Sequence, residues 1–377
     1  MRFLSRCASA IQIVRPCASI ADTQARTRAS RGRVADQSDA LRHEMGNRLG
    51  RAARRHATET KVNERRYTDL IARSPARRCA FLVMIALATT GALSHAQDLE
   101  PRAYLNTPVG LNFLIAGYGY TTGDVVIDPS LPLDNVHVET NGMLLAYVRS
   151  LDVWGKSGKF QLVLPSAWAD GTADVVGEPR ERQVLGLADP RLRFSVNFYG
   201  APAISLQEFK DYKQDLIIGS SVEMSAPLGQ YDADKLLNLG TNRWSFRPGL
   251  GVSKAFGPLT LDLAGAVSFY TDNEDFLAGH TRAQAPIYSV DAHVSYSFQT
   301  GIWVALDGTY YTGGRTAIDG VEQNDRRENT RLGLTIALPV NQHNSIKLYA
   351  STAVSTRAGH SFNAIGIAWQ YRWGGGL

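Results

Sequence analysis

The sequence predicts an all-β fold: about twelve antiparallel strands closed into a transmembrane β-barrel, preceded by a disordered leader and a signal peptide. Three observations predict it. The final segment, Ala364 to Trp373, places Ile365, Ile367, Trp369, Tyr371 and Trp373 on one parity. Gly366, Ala368, Gln370 and Arg372 occupy the other. Side chains alternate across a strand, so the large apolar groups share one face, which ends in aromatics suited to the boundary between lipid and water. Second, no apolar run long enough for a spanning helix follows Gln97, yet alternating segments recur between turn residues. Third, short and long connectors alternate, which is the habit of outer-membrane barrels.

The amino end stands apart. The chain has 377 residues and a formal net charge of +5, but 18 Lys/Arg against 7 Asp/Glu fall before Gln97. The rest carries 22 against 28, so the basic character belongs to the leader. Residues 1–76 show no sustained period, no aromatic interleaving and no recognisable fold, so no nucleic acid is expected as a partner. They read as a disordered basic segment or a mis-assigned start. Residues 77–96 form a signal peptide: Arg77 and Arg78 lead into the apolar run Ala80 to Leu93, then Ser94-His95-Ala96 as a small-x-small cleavage site. The run is too short to span a bilayer. Cys7, Cys17 and Cys79 all precede the cleavage site, so the mature part, 97–377, has neither a disulfide framework nor a thiolate metal site.

The segments follow in order. Segment one, 110–122, contains Gly117-Tyr118-Gly119, too short and wrongly placed for a dinucleotide fingerprint. Segment two, 135–151, has ambiguous parity; segment three covers 159–170. Segment four, 181–199, alternates strictly: Leu192, Phe194, Val196 and Phe198 against Arg191, Arg193, Ser195 and Asn197. Ser205 to Lys213 follows in a connector, and its Ser-x-x-Glu start resembles a capping box opening a short helix. Segments five and six are 215–226 and 243–256, the latter with Gly249-Leu250-Gly251, where glycine permits bending or close packing. Segment seven, 258–271, sets Leu259, Leu261, Leu263, Val267 and Phe269 against Thr260, Asp262, Ala264 and Ser268. Segment eight, 286–299, sets Val290, Val294, Tyr296 and Phe298 against Asp291, His293, Ser295 and Ser297. Segments nine to twelve are 301–312, 328–339, 345–356 and 361–373. Phe256-Gly257-Pro258, Gln299-Thr300-Gly301 and Val340 to Asn344 are short turns on the periplasmic side. Gly123 to Asn135, Pro227 to Asn242, Thr271 to Ala285 and Thr312 to Arg327 are long polar loops on the other.

Every backbone polar group in hydrocarbon needs a partner, so a membrane sheet must close, with its apolar parity outward. The inward parity then collects Arg191, Arg193, Glu223, Arg247, Asp262, Asp291, His293, Asp307, Arg331, Lys347 and Arg372, with Arg149 expected to join them. These residues line the lumen as a solute path, or brace it as a network of arginine–carboxylate pairs. Twelve strands lie between the filled eight-stranded barrel and the open sixteen-stranded one, consistent with a narrow or gated path. His293 and Ser295 share a face in the manner of an outer-membrane phospholipase, but segment nine has no asparagine to orient the histidine. The pair also falls on the lumen side. The histidines lack metal-ligand spacing, and the acidic loop residues Asp272, Glu274 and Asp275 read as a solvated surface. No catalytic residue, metal or cofactor is expected.

Five stretches together carry a resemblance: Pro108 to Tyr120, Ala188-Asp-Pro-Arg-Leu-Arg193, Ala226-Pro-Leu-Gly-Gln-Tyr-Asp232, Asn238 to Phe246, and Tyr310-Tyr-Thr-Gly-Gly-Arg315. They resemble the phenol MetA-pathway degradation family of transporter-like outer-membrane barrels, over about Asp98 to Trp373. The resemblance implies passive uptake of small hydrophobic or aromatic compounds in bacteria that degrade them, without a catalytic mechanism. The implied partners are membrane lipid, lipopolysaccharide, the solutes themselves and the barrel-assembly machinery. A lipid hydrolase and a structural or adhesin-like barrel without transport are the alternatives. Two features depart from the pattern: Gly374-Gly-Gly-Leu377 follows Trp373 where an aromatic end is usual, and the leader is foreign to it. Within the loops, Tyr231, Leu236, Leu237 and Leu239 either offer a solute its first apolar contact or pack the loop onto the rim.

The tripartite signal fixes an outcome for amino-terminal sequencing of the protein extracted from outer membranes. It should read Gln-Asp-Leu-Glu-Pro from Gln97. A cytoplasmic form retaining residues 1–96 would overturn the export reading.

Overall fold

The computed structural model describes residues 100–377, apart from 127–132, 176–177, 236 and 278. The leader, the signal peptide and its cleavage site lie outside the described residues. The strands are β1 (Leu111–Val126), β2 (Leu133–Val153), β3 (Lys156–Val175), β4 (Glu178–Leu187), β5 (Arg191–Tyr199), β6 (Leu216–Ser225), β7 (Ser245–Phe256) and β8 (Leu259–Tyr270). They continue with β9 (Asn273–Phe276), β10 (His280–Gln284), β11 (Ile287–Ser297), β12 (Trp303–Gly313), β13 (Thr316–Ile318), β14 (Val321–Glu322), β15 (Arg327–Pro339), β16 (Asn344–Thr356) and β17 (Gly359–Gly374).

The large sheet is an antiparallel meander that closes on itself, because β1 pairs with β17 from Leu111↔Gly374 to Val126↔Gly359. It is a closed barrel of twelve strand positions. β4 and β5 share one position: β4 pairs with β3 from Ser166↔Leu187 to Val175↔Glu178, and β5 pairs with β3 from Gly158↔Val196 to Val163↔Arg191. The sequence suggested one unbroken strand over 181–199; the ladder instead breaks at Ala188-Asp189-Pro190. Proline has no N–H to donate, and Pro190 and Pro165 both fall within the stretch where the two registers with β3 fail to join. Ala188 N–H still reaches the Pro165 carbonyl at 2.9 Å. A further gap opens around Arg247-Pro248, where the β7–β8 register passes from Phe246↔Phe269 to Gly249↔Ala266.

The short turns obey local chemistry. Trp154 and Gly155, both at positive φ (52° and 75°), join β2 to β3 as a two-residue turn whose twist suits a hairpin. Gly257 at φ 63° followed by Pro258 does the same between β7 and β8. In the longer β5–β6 connector, Ser205 and Glu208 form the expected reciprocal cap. The Ser205 N–H and hydroxyl each reach Glu208 Oε2 at 2.7 Å, and Glu208 N–H returns to Ser205 Oγ at 3.3 Å. Only a three-residue 3-10 turn, Glu208–Lys210, follows. Those hydrogen bonds hold the Glu208 carboxyl below its ordinary range.

At the other end the loops are less irregular than the sequence implied. β1, β2 and β3 run 16, 21 and 20 residues, well beyond the roughly 9–11 that cross a bilayer, and absorb most of the expected loop from Gly123 to Asn135. The loops after β8 and β12 fold into a second sheet, in the order β14-β13-β10-β9. These strands are too short to show a period of two in the sequence.

The barrel is inside-out relative to a soluble protein. Along β11, Asp291 is 1% exposed and His293 3%, whereas Val290 and Val294 are 47% and 45% exposed. Leu145, Phe194, Leu263, Leu306, Leu334 and Ile365 continue the exposed band on neighbouring strands. Outward aromatics close it at the short-turn end, where Trp369, Tyr371 and Trp373 stack in series along β17. A water-soluble sandwich would invert this pattern.

The phase of β5 is testable by cysteine labelling. Phe194→Cys should react with a lipid-soluble reagent and Arg193→Cys with a water-soluble one. A slip by one residue would put Arg191 and Arg193 into lipid, at about 2–4 kcal/mol each near the midplane. The reverse labelling pattern would show the phase to be wrong.

Candidate functional site

The candidate site is the lumen. Strand alternation aims each inward side chain at it, and strand register then decides which charges meet. Arg193 on β5 faces Glu223 on β6, which faces Arg247 on β7. Arg193 donates to Ser221 Oγ at 3.2 Å. Arg247 donates to Ser289 Oγ at 3.0 Å and pairs with Asp291 at 3.4 Å, with both partners nearly sealed from solvent. Thr309 donates to the second Asp291 oxygen at 2.9 Å. One row further, Asp262, His293 and Asp307 are direct cross-strand neighbours on β8, β11 and β12. Arg331 on β15 bonds Ser351 at 2.6 Å and lies 3.9 Å over the Phe362 ring. Alternating sign along Arg193, Glu223 and Arg247, and the Arg247–Asp291 pair, offset the cost of burying charge.

Of the residues expected to line the lumen, Arg191, Arg193, Glu223, Arg247, Asp262, Asp291, His293, Asp307, Arg331, Lys347 and Arg372 lie on the inward parity. Arg372 sits at the short-turn rim, where its Nε donates to the Gln342 carbonyl at 2.5 Å. Arg149 is a correction. It is exposed and shares the parity of Met143 and Leu145, because β2 turns that parity outward. Its register partner Asn112 lies at the start of β1, close to the membrane edge, where a long cationic chain can reach water.

Residues 100–110 precede β1 and lie inside the lumen at the short-turn end, bonded to strands all round the wall. Lys347 on β16 pairs with Glu100. The Arg102 N–H reaches Asp262 at 3.3 Å, while its guanidinium reaches Ser297 at 3.3 Å and covers the Trp303 ring at 4.9 Å. Lys159 on β3 donates to the Ala103 and Leu105 carbonyls, each at 3.0 Å. Asn197 on β5 donates to the Tyr104 carbonyl at 2.9 Å. Tyr104 is 2% exposed and its hydroxyl meets Ser221 at 3.3 Å. Its ring fills a niche made by Gly219 and Gly251, direct neighbours on β6 and β7. A Cβ at those positions would lie 2.7 and 2.0 Å from the ring. Close packing at Gly251 was legible as a possibility; its occupant was not.

The hydrolase arrangement is partly present. His293 Nδ1 meets Asp307 Oδ1 at 2.8 Å, and Thr335 holds the other Asp307 oxygen at 2.8 Å. An aspartate thus supplies the orienting group for which the sequence offered no asparagine. However, neither His293 Nε2 nor Ser295 Oγ has a hydrogen-bond partner, so the imidazole is not placed to take the serine proton. Both groups face the lumen rather than lipid. Among the described residues no group of three His, Cys, Asp or Glu side chains could hold a metal ion.

Residues 118–371 match the model of the family described as "Putative MetA-pathway of phenol degradation". The chain belongs to this family. Its fold is similar to that of an outer membrane channel from Pseudomonas putida F1, at 22% identity and a TM-score of 0.63. That alignment covers 73% of this chain and 100% of the other. A weaker fold likeness links it to the transport unit of the autotransporter AIDA-I from Escherichia coli, at 10% identity and a TM-score of 0.46, covering 77% and 98% of the two chains. No curated protein matches.

Three stretches that carry the family resemblance meet at Asp189, in the strand break. Asp189 accepts from Gly229 N–H at 2.9 Å, Thr241 N–H at 2.8 Å and Thr241 Oγ1 at 2.7 Å. Leu237 and Leu239 are buried in one cluster with Ala167, Ala169, Val184 and Ala188, on the inner face of β3 and β4. The packing reading therefore holds for these two leucines; Leu236 lies outside the described residues. Tyr231 is tied down through its hydroxyl to the Asp275 carbonyl at 3.0 Å and to Asn273 Nδ2 at 2.7 Å.

The glycine niche gives a direct test of whether residues 100–110 obstruct this family member's lumen. A valine at Gly251 overpacks the Tyr104 ring at a cost of about 1–3 kcal/mol, enough to shift the segment away from the wall. Gly251→Val should raise single-channel conductance in planar bilayers several-fold. Unchanged conductance from a correctly folded variant would show that the segment is no obstruction.

Proposed function

We propose that the chain is a bacterial outer-membrane channel for passive uptake of small hydrophobic or aromatic compounds. The observation that carries this reading is the closed barrel with an apolar outer band, a charged lumen and, among the described residues, a short segment across its inner end. Such a wall is stable in lipid and leaves a polar interior. The segment is held by separate contacts, each worth about 1 kcal/mol net, so it can detach stepwise while the barrel ladder stays closed. Membership of a family named for phenol degradation supports aromatic compounds as the solutes. The outer membrane channel from Pseudomonas putida F1 has a similar fold, which supports the location and mode of action.

Bilayer lipid contacts the outer band, lipopolysaccharide surrounds the long-loop end, and the barrel-assembly machinery inserts the chain. The row Arg193–Glu223–Arg247 and the row Asp262–His293–Asp307 set which solutes pass. The interior offers a solute both hydrogen-bonding partners and the arginine–ring pairs Arg243–Tyr270 and Arg331–Phe362, which suits a ring with a polar substituent better than an alkane.

The test is uptake of radiolabelled phenol and related aromatic compounds at low concentration by cells with and without the gene. Deletion should slow uptake, and Arg193→Gln with Arg331→Gln should change the rate or the preference among solutes. If uptake of every aromatic compound is unchanged and the purified barrel shows no conductance, the channel reading fails and a structural role replaces it.

A further inference from the structure

At the long-loop end of the lumen, three guanidinium groups gather, and one of them has a donor that the wall leaves unmet. Arg243 lies just before β7, Arg282 on β10 and Arg327 at the start of β15. They lie close enough that Arg327 repels both of the others, and Arg243 repels Arg282. Arg243 and Arg282 are each only 8% exposed. Burial first, and this mutual repulsion second, pushes Arg282 down to about 9. Burial is also the main cause that brings Arg243 down to about 10.

Arg243 is incompletely satisfied. Its Nη2 donates to Gln284 Oε1, but Nη1 has no hydrogen-bond partner, and it forms no ion pair among the described residues. The two carboxylates near Arg243 do not pair with it: Asp189 accepts from Gly229 and Thr241, and Asp272 is exposed to solvent. A second orphan points the same way: the shielded Nε2 of His360, at the start of β17, has no partner and lies in the field of Arg327 and Arg331. A buried cationic donor without an acceptor is costly unless an anion meets it.

Rings accompany the charges. Arg243 lies 4.5 Å over Tyr270, Arg282 5.4 Å over Phe276 and Arg331 3.9 Å over Phe362. A guanidinium with one face on a protein ring keeps its other face for a second ring and its edge for a carboxylate.

We propose that Arg243, Arg282 and Arg327 form a binding site for an aromatic monocarboxylate, the guanidinium edges holding the carboxylate and the arginine–ring pairs holding the aryl group. The proposal deepens the channel reading and rests on it for its use in uptake: the solute that enters is an aromatic acid rather than a neutral phenol. Inorganic phosphate would use the charges but not the rings. A neutral ring would leave Arg243 Nη1 unmet.

The test is calorimetric titration of the full-length processed protein in detergent with benzoate, phenol, acetate and inorganic phosphate. Benzoate should bind about tenfold or more tightly than any of the other three. Arg243→Gln and Arg282→Gln, each checked for heat-modifiable gel mobility, should weaken benzoate by about tenfold or more. Tyr270→Leu should weaken benzoate more than acetate. Equal binding of phenol, tighter binding of phosphate, or unchanged affinity in both folded arginine variants would overturn the site. Conductance of the same preparations in planar bilayers separates the two readings. A barrel that conducts but does not bind benzoate overturns the site alone; one that binds benzoate but neither conducts nor supports uptake overturns the channel alone.

Discussion

Everything in this structure depends on the ladder between the first and last strands of the barrel. In hydrocarbon an unpaired N–H or C=O costs several kcal/mol, so an open twelve-position sheet would expose two ruinous edges. Pairing of β1 with β17 over the whole length of both strands removes them. Only after that closure can the apolar parity face lipid everywhere and the polar parity be sheltered. The charged interior is therefore a consequence of closure as much as of sequence.

Closure also explains where irregularity is tolerated. Pro165, Pro190 and Pro248 each remove a donor, and the ladder gives way beside them at Ala188–Pro190 and Arg247–Pro248. The break beside β4 is stapled from within. Asp189 takes three donors from the loop after β6, and Leu237 and Leu239 pack against the inner wall. Three of the five stretches that mark the family are thus parts of one repair.

The lumen is organised by register. Arg193, Glu223 and Arg247 are far apart in the chain but become a row because β5, β6 and β7 align them, and Asp262, His293 and Asp307 do so on β8, β11 and β12. The Arg193–Glu223–Arg247 row alternates in sign and braces the wall, and under the proposed channel function the same row is what a solute meets. The segment before β1 adds a third element, seated where two opposed glycines leave room for a tyrosine ring.

By itself the sequence determined the fold class, the phase of strands such as β5, β8, β11 and β15, and the inward set apart from Arg149. Those follow from a period of two, which is a local property of each strand and is strong wherever large apolar and polar residues alternate cleanly. Parity failed at Arg149, where the flanking residues of β2 mix large and small groups on both faces. It was silent on β9, β10, β13 and β14, which are too short to carry a period. Only the tertiary structure decided the break at Ala188–Pro190, the docking of Tyr104 between Gly219 and Gly251, and the meeting of Arg243, Arg282 and Arg327. Each joins residues distant in the chain through ring closure and loop packing, and no local pattern encodes which distant partner a side chain will find.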